Sequence, residues 1–274
     1  MEPGSETPGG HQRVDAERRA SSFGTAAAAY AQYRPDYPLD AVRWCLAPLG
    51  REIAGLRILD LGAGTGKLTE QLALLGASVT AVEPDQAMLD ELRRALPSVR
   101  SVAGTAEQIP LADGAVDAVL CGQSLHWFDL DRALPEIARV LAPGGVLGAL
   151  WNSDDDRVEW VAGLQEAAEH AASPALSQRR TQDAMIELSP PAAPGAVRLF
   201  GEADRAEFPH AQRQTAGRLT AAIATHSQIL VMEPERRDRL LARVRAYLES
   251  RPETATGEFD LPMVTSVIRS RRRG

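Results

Sequence analysis

The sequence predicts an α/β protein, built on a mostly parallel sheet with helices over both faces. Three observations carry this. Short β-rich apolar runs alternate with stretches of helical spacing from Leu56 to Trp151. Glycine, proline or Asp-Gly stands at most of the junctions, where turns belong. The repeated strand–helix–strand units are also of the size that parallel crossovers need.

Residues 1–21 are polar and rich in Gly, Glu and Arg, and read as a disordered tail. A single domain is expected over 22–274, with its core at about 50–152 and a cover plus the last strands at 153–274. Tyr33-Arg-Pro-Asp-Tyr-Pro38 forces an extended bend. Pro38 then opens a helix with Leu39, Val42, Leu46 and Leu49 on one face, which Pro48 and Gly50 close. Leu56–Leu61 reads as a buried strand and Lys67–Leu75 as a helix ended by Gly76. Strand Ser78–Glu83, helix Asp85–Leu96 and the short strand Val99–Ala103 follow. Asp113-Gly114 turns into strand Val116–Cys121. Helix Leu130–Leu141 is stopped by Pro143-Gly144-Gly145 ahead of strand Val146–Trp151. Beyond it, Arg157–Ala172 is amphipathic, with Trp160, Leu164 and Ala168 together. Ser173–Gly195 reads as a mobile connection. Ala203–Phe208 reads as a strand, Leu219–Leu230 and Arg236–Leu248 as helices, and Glu258–Arg269 as strand-like.

The chain has 274 residues, 44% of them hydrophobic, which suits one large domain or a domain with an elaboration. A formal net charge of −7 argues against a nucleic-acid partner held by a basic face. The cluster Arg269, Arg271, Arg272 and Arg273 reads as a solvated tail. Cys45 and Cys121 sit far apart and suit a reducing cytosol rather than a disulfide scaffold or a zinc site. No run approaches the roughly 20 apolar residues of a membrane span, so a soluble cytoplasmic protein, monomer or homodimer, is expected.

The functional signal lies in Arg57-Ile-Leu-Asp-Leu-Gly-Ala-Gly-Thr-Gly-Lys67. Its alternating glycines suit a backbone that turns sharply or approaches a ligand closely. A phosphate-cradling loop fails on spacing, because Leu61 holds its first glycine position and Leu68 its hydroxyl position. A dinucleotide fingerprint is weakened, since its last glycine would fall on Lys67. Asp-x-Gly-x-Gly-x-Gly, Asp60 through Gly66, remains. Glu83 follows about 20 residues later at the end of the second strand, where a ribose-binding acid is expected.

This pattern resembles the cofactor motif of the class I S-adenosylmethionine-dependent methyltransferases. The wider likeness is to the methyltransferase type 11 and trans-aconitate methyltransferase-like proteins. It extends over about residues 22–152, through Phe23, Tyr30, Tyr33–Pro38, Leu125-His-Trp-Phe128 and Leu141-Ala-Pro-Gly-Gly145. The resemblance implies a Rossmann-like, mostly parallel seven-stranded sheet between helices with a helical cover, and an antiparallel last strand pair from the region after residue 200. It also implies S-adenosylmethionine as methyl donor and a small-molecule acceptor. Asp60, Gly62, Ala63, Gly64 and Gly66 would pass under the donor's methionine part, with Glu83 and Pro84 at the ribose and Thr105, Ala106 and Glu107 at the adenine. Thr105 stands where the family usually has an acid. Glu107 is also suited to capping a turn. Tyr33 and Arg34 would cover the donor; Arg34 either pairs with its carboxylate or braces the bend. Gln123 and Ser124 would wall the sulfonium.

His126 is open to two roles, a general base toward the acceptor or a packing residue beside Trp127 and Phe128. Cys121 is expected in the core. Asp154-Asp155-Asp156 reads as a solvated turn into a helix rather than a metal site, because adjacent residues do not all converge on one ion. The runner-up functions are a cofactor-binding protein without transfer activity and, more weakly, a nicotinamide-dependent oxidoreductase.

Overall fold

The computed structural model describes residues 34–169 and 199–273. The expectations for the N-terminal tail, Phe23, Tyr30, Tyr33 and the 173–195 connection lie outside the described residues. One seven-stranded sheet organises the rest, in the order β3-β2-β1-β4-β5-β7-β6. Its strands are β1 (Arg57–Leu61), β2 (Ser78–Glu83), β3 (Arg100–Ala103), β4 (Val116–Gly122), β5 (Leu141–Asp154), β6 (Asp204–Thr215) and β7 (Glu258–Arg271). The first five pair in parallel, and β7 runs antiparallel between β5 and β6. The reversal at β7 is the expected terminal arrangement.

The helices are α1 (Leu39–Leu46), α2 (Lys67–Leu74), α3 (Gln86–Ala95), α4 (Leu130–Val140), α5 (Glu159–Ala167), α6 (Ala216–Ala224), α7 (Ser227–Leu230) and α8 (Pro234–Ser250). Most begin and end for local reasons. Asp85 caps α3, its Oδ1 accepting from the Ala87 and Met88 amides. Gly50, which takes φ +63°, ends the 3-10 turn that follows α1.

Two apolar layers cover the parallel sheet. On one face Leu59, Val119, Ile137, Leu147 and Trp151 pack together. On the other, Ile58, Leu72, Leu120 and Leu150 pack against Val42 and Cys45 of α1. The approach of α1 is so close that a Cβ on Gly148 would lie 2.0 Å from Cys45 Sγ. Ala41, Val42, Cys45 and Leu46 are the buried face of α1, whereas Leu39, assigned to that face by spacing, is exposed. Cys121 is fully buried, as expected. Trp160, Leu164, Leu240, Val244 and Leu261 build a third core in the cover.

Several elements exceed their sequence outlines. The Pro143-Gly144-Gly145 stretch is part of β5 rather than a separate loop, because Leu141 still pairs with Val116 across a register shift. At the other end β5 continues through Asp154, and β6 runs to Thr215, since both find partners on β7. The Leu219–Leu230 stretch is two helices interrupted at Thr225 and His226. The terminal arginines are not a solvated tail. Arg269 lies 3.7 Å over the Trp44 ring and pairs with Asp204, while Arg272 and Arg273 donate to the Leu141 and Phe200 carbonyls.

Candidate active site

The glycine loop leaves β1 at its C-terminal end, where open α/β sheets bind ligands. Gly62, Gly64 and Gly66 take φ of +70°, +56° and +94°. At Gly62 space is limiting as well, since a Cβ there would stand 2.6 Å from Ser124 Cβ. Ser124 Oγ donates to the Leu61 carbonyl at 2.7 Å, so this residue braces the loop from beneath. The Gly62 and Ala63 amides donate to the Val82 carbonyl and dock the loop on β2.

Two carboxyls frame the loop. Glu83 Oε2 accepts from the Gly64 amide at 2.8 Å and Oε1 from the Asp85 amide at 2.9 Å. Each oxygen keeps a lone pair for a ligand hydroxyl. Asp60 is fully buried, and its Oδ2 accepts from the Thr69 hydroxyl at 2.5 Å. Asp60 Oδ1 and Thr65 Oγ1 are buried without a hydrogen-bond partner among the described residues. Burial pushes the Asp60 carboxyl up to about 7, against the Thr69 hydrogen bond and with help from the Glu83 charge. Burial also raises Glu83, while the Asp85 and Gly64 amides hold it down. Buried carboxyls short of compensating charge suit a ligand that brings a cation and hydroxyls. S-Adenosylmethionine, with its ammonium, sulfonium and ribose, fits that donor set.

Two clefts meet past the end of β4, beside β5. One, of about 370 Å³ up to its mouth, is lined by Tyr37, Lys67, Leu68 and Gly122 among others. The other, of about 630 Å³ up to its mouth, runs under the cover past Asp154, Leu261 and Met263 toward Leu219 and Ile223. Both touch Arg34, Pro35, Gln123 and Asn152, which therefore form the junction. Asn152 holds this junction together. Its Nδ2 donates to the Asp36 carbonyl at 3.1 Å and more weakly to that of Pro35, and its Oδ1 accepts from Thr265 Oγ1 at 2.6 Å. Its carbonyl accepts from Gln123 Nε2 at 2.8 Å. Gln123 is held at φ +57°, an uncommon region for a side-chain-bearing residue. Lys67 Nζ pairs with Asp36 at 2.9 Å, tying the 34–37 segment to the start of α2.

The other candidates are placed less centrally. Pro84 and Thr105 are exposed at the ends of β2 and β3, and Ala106 is buried. Glu107 Oε1 accepts from the Asp129 amide at 3.0 Å, so that oxygen steadies the start of α4 rather than its own turn. His126 lines neither cleft. Its Nδ1 accepts from Trp151 Nε1 at 3.4 Å, its ring leans on Trp127, and burial lowers its pKa to about 4. A base at His126 finds no support in these surroundings. Conversely, Asp154 and Asn152 are absent from the sequence-derived candidates. Asp154 is the last residue of β5 rather than part of a solvated turn, and only the overshoot of β5 past Trp151 could have signalled it.

The sequence profile described as "Methyltransferase domain" matches residues 59–149, from β1 to β5. An uncharacterized methyltransferase of Mycobacterium tuberculosis is 40% identical over 250 residues, covering 91% of this chain and 95% of that protein. The chain belongs to the class I S-adenosylmethionine-dependent methyltransferases. A malonyl-[acyl-carrier protein] O-methyltransferase of Pectobacterium atrosepticum is 35% identical over 129 residues, 47% of this methyltransferase and 50% of that one. A solved structure from Anaeromyxobacter dehalogenans, provisionally assigned as a type II methyltransferase, superposes with a TM-score of 0.61 at 25% identity, over 88% of this chain and 98% of that one. S-Adenosylmethionine is thus the methyl donor of this methyltransferase. Among the described residues no helix is long and apolar enough to cross a membrane.

Proposed function

We propose that this methyltransferase acts on a small-molecule acceptor held in the larger cleft, with the donor along the glycine loop and the smaller cleft. The observation that carries the reading is the meeting of the two clefts at Arg34, Pro35, Gln123 and Asn152. When bound, S-adenosylmethionine supplies an electrophilic methyl group. The chain supplies position. Gly62–Gly66 would lie under the methionine part, Asp60 would offer its unpartnered oxygen to the ammonium, and Glu83 would accept from the ribose hydroxyls. Pro84, Thr105 and Ala106 edge the nucleoside, and Gln123 with Arg34 stands at the junction. Holding the reacting atoms about 3–3.5 Å apart provides much of the rate of such a transfer.

Titration calorimetry with S-adenosylmethionine and S-adenosylhomocysteine tests the donor site: absence of binding in a folded sample sinks it. Incubation with methyl-labelled donor and a cell extract, then separated into small-molecule and macromolecular fractions, tests the acceptor. Label appearing only in macromolecules would refute the small-molecule reading.

A further inference from the structure

We infer that Asp154 is the group that meets the acceptor, and that the acceptor is an O–H or N–H nucleophile carried on an apolar body. The inference rests on the methyl-transfer reading above and names its acceptor class.

The geometry comes from the three long strands that project beyond the parallel sheet. Asn152 and Asp154 are two residues apart on β5, so their side chains share one face, with Asp154 about 7 Å further along. Asn152 pairs with Thr265 and Asp154 with Met263. Asn152 stands at the junction of the two clefts, and Asp154 stands one strand repeat further, in the larger cleft only. Past it, the floor becomes Met263 and Leu261 and the roof Leu219 and Ile223. An acceptor lying along this floor presents its reacting end beside Asp154 and its body to apolar side chains.

The charges around Asp154 decide what that reacting end is. Arg34 acts on it from the junction and Asp156 from the following turn. His210 of β6 shares its cross-strand row beyond Met263, and His226 lines the same cleft from the end of α6. Among the described residues Asp154 is the one carboxylate lining this cleft, and burial holds it up to about 6. It is therefore ionised at neutral pH yet basic enough to take a proton in the transition state. A second carboxylate would meet repulsion there, whereas an amine, alcohol or phenol offers the hydrogen that the carboxylate lacks. In the transfer the nucleophilic atom gains the methyl group, sulfur keeps the electron pair of the broken bond, and the displaced proton passes to Asp154 and then to water.

The test uses the full chain saturated with S-adenosylhomocysteine and three probes sharing a 2-substituted naphthyl body: 2-naphthol, 2-naphthylmethylamine and 2-naphthoate, titrated calorimetrically at pH 7.5. Wild type is expected to bind the naphthol and the amine at least 10-fold more tightly than the carboxylate. Asp154→Asn should lower amine affinity at least 10-fold and raise that of 2-naphthoate, and Asp154→Glu should restore the order. Both variants should keep S-adenosylhomocysteine affinity within 2-fold. The inference is overturned if the carboxylate binds best in wild type, if Asp154→Asn leaves the order unchanged, or if no probe binds. Loss of S-adenosylhomocysteine binding in both variants also overturns it, because Asp154 would then be structural. If wild type itself fails to bind S-adenosylhomocysteine, the methyl-transfer reading falls instead.

Discussion

Asp60→Asn should stabilise the empty protein while weakening its hold on the donor. The carboxyl is fully buried and held at about 7, against an ordinary value of 3.8. As pH rises from 3.8 to 7 the unfolded chain gives up this proton and the folded chain keeps it. Folding therefore takes up a proton in that window, and stability falls as pH rises through it. At about 1.4 kcal/mol per unit, a shift of about 3 units costs the empty protein roughly 4 kcal/mol by pH 7, of which roughly 3 kcal/mol accrues above pH 5. An amide in its place does not ionise, but it leaves an N–H unsatisfied at a cost of about 1–3 kcal/mol. The expected outcome is near-equal stability at pH 5 and a variant more stable by about 1–3 kcal/mol at pH 8, several degrees in Tm for a chain of this length. Urea melts of both proteins from pH 5 to 8 measure this directly. In the same samples, saturating S-adenosylmethionine should raise the Tm of wild type more than that of the variant, because the carboxylate that would pair with the donor's ammonium is missing there. Parallel pH curves would refute the reasoning, since they would mean that Asp60 ionises normally in the empty fold.

Gly62→Ala should destabilise by about 2–4 kcal/mol, combining a clash with Ser124 Cβ at 2.6 Å and a positive φ, and should abolish donor binding; denaturant midpoints and calorimetry report both. Asn152→Ala removes the bonds to Pro35, Asp36 and Thr265, so faster proteolysis ahead of Tyr37 and at least 10-fold weaker donor binding are expected. His126→Ala should cost about 1–2 kcal/mol of packing yet leave turnover within about 3-fold and the pH–rate profile unchanged; a lost acidic limb would restore His126 to the chemistry as a base.

The proposed donor half of the site is readable in the chain because its geometry is local. Asp60, the glycines and Glu83 lie within one strand–helix–strand unit, and their spacing alone separates this loop from a phosphate loop. Backbone signals sufficed there, since positive φ at alternate positions calls for glycine whatever lies nearby. Side-chain partners were not readable in the same way. Ser124 looks like a cleft residue in sequence, but its hydroxyl is spent on the Leu61 carbonyl, a contact 63 positions distant. Glu107 is engaged 22 positions away at Asp129. The terminal arginines read as solvated because nothing in their own segment shows that Trp44 and Asp204 would receive them. The outlines of β5 and β6 failed for a related reason. Polar ends such as Asn152–Asp154 and Gln212–Thr215 carry no apolar alternation, and they are strands only because β7 pairs with both.

That same extension separates the two halves of the site physically. In the proposed reading the glycine loop at the end of β1 would fix the donor, whereas the β5–β7–β6 arm, which continues past the parallel strands, would carry the acceptor's floor. The proposed cofactor residues are thus tied to the sheet core, where the Val82 carbonyl accepts from the loop amides and Ser124 donates to the Leu61 carbonyl. The residues proposed to face the acceptor sit on the antiparallel arm, which pairs with the parallel sheet only through β5. The comparisons divide along the same line. The profile match stops at residue 149, three positions before Asn152 and five before Asp154. A shared donor half therefore says little about the acceptor, and a relative whose match spans the arm as well is the better guide to it. The Mycobacterium tuberculosis protein, covering 91% of this chain, meets that condition. If a carboxylate aligns with Asp154 in that protein, the two enzymes should order the naphthyl probes alike; if not, their orders should differ while their donor affinities stay similar.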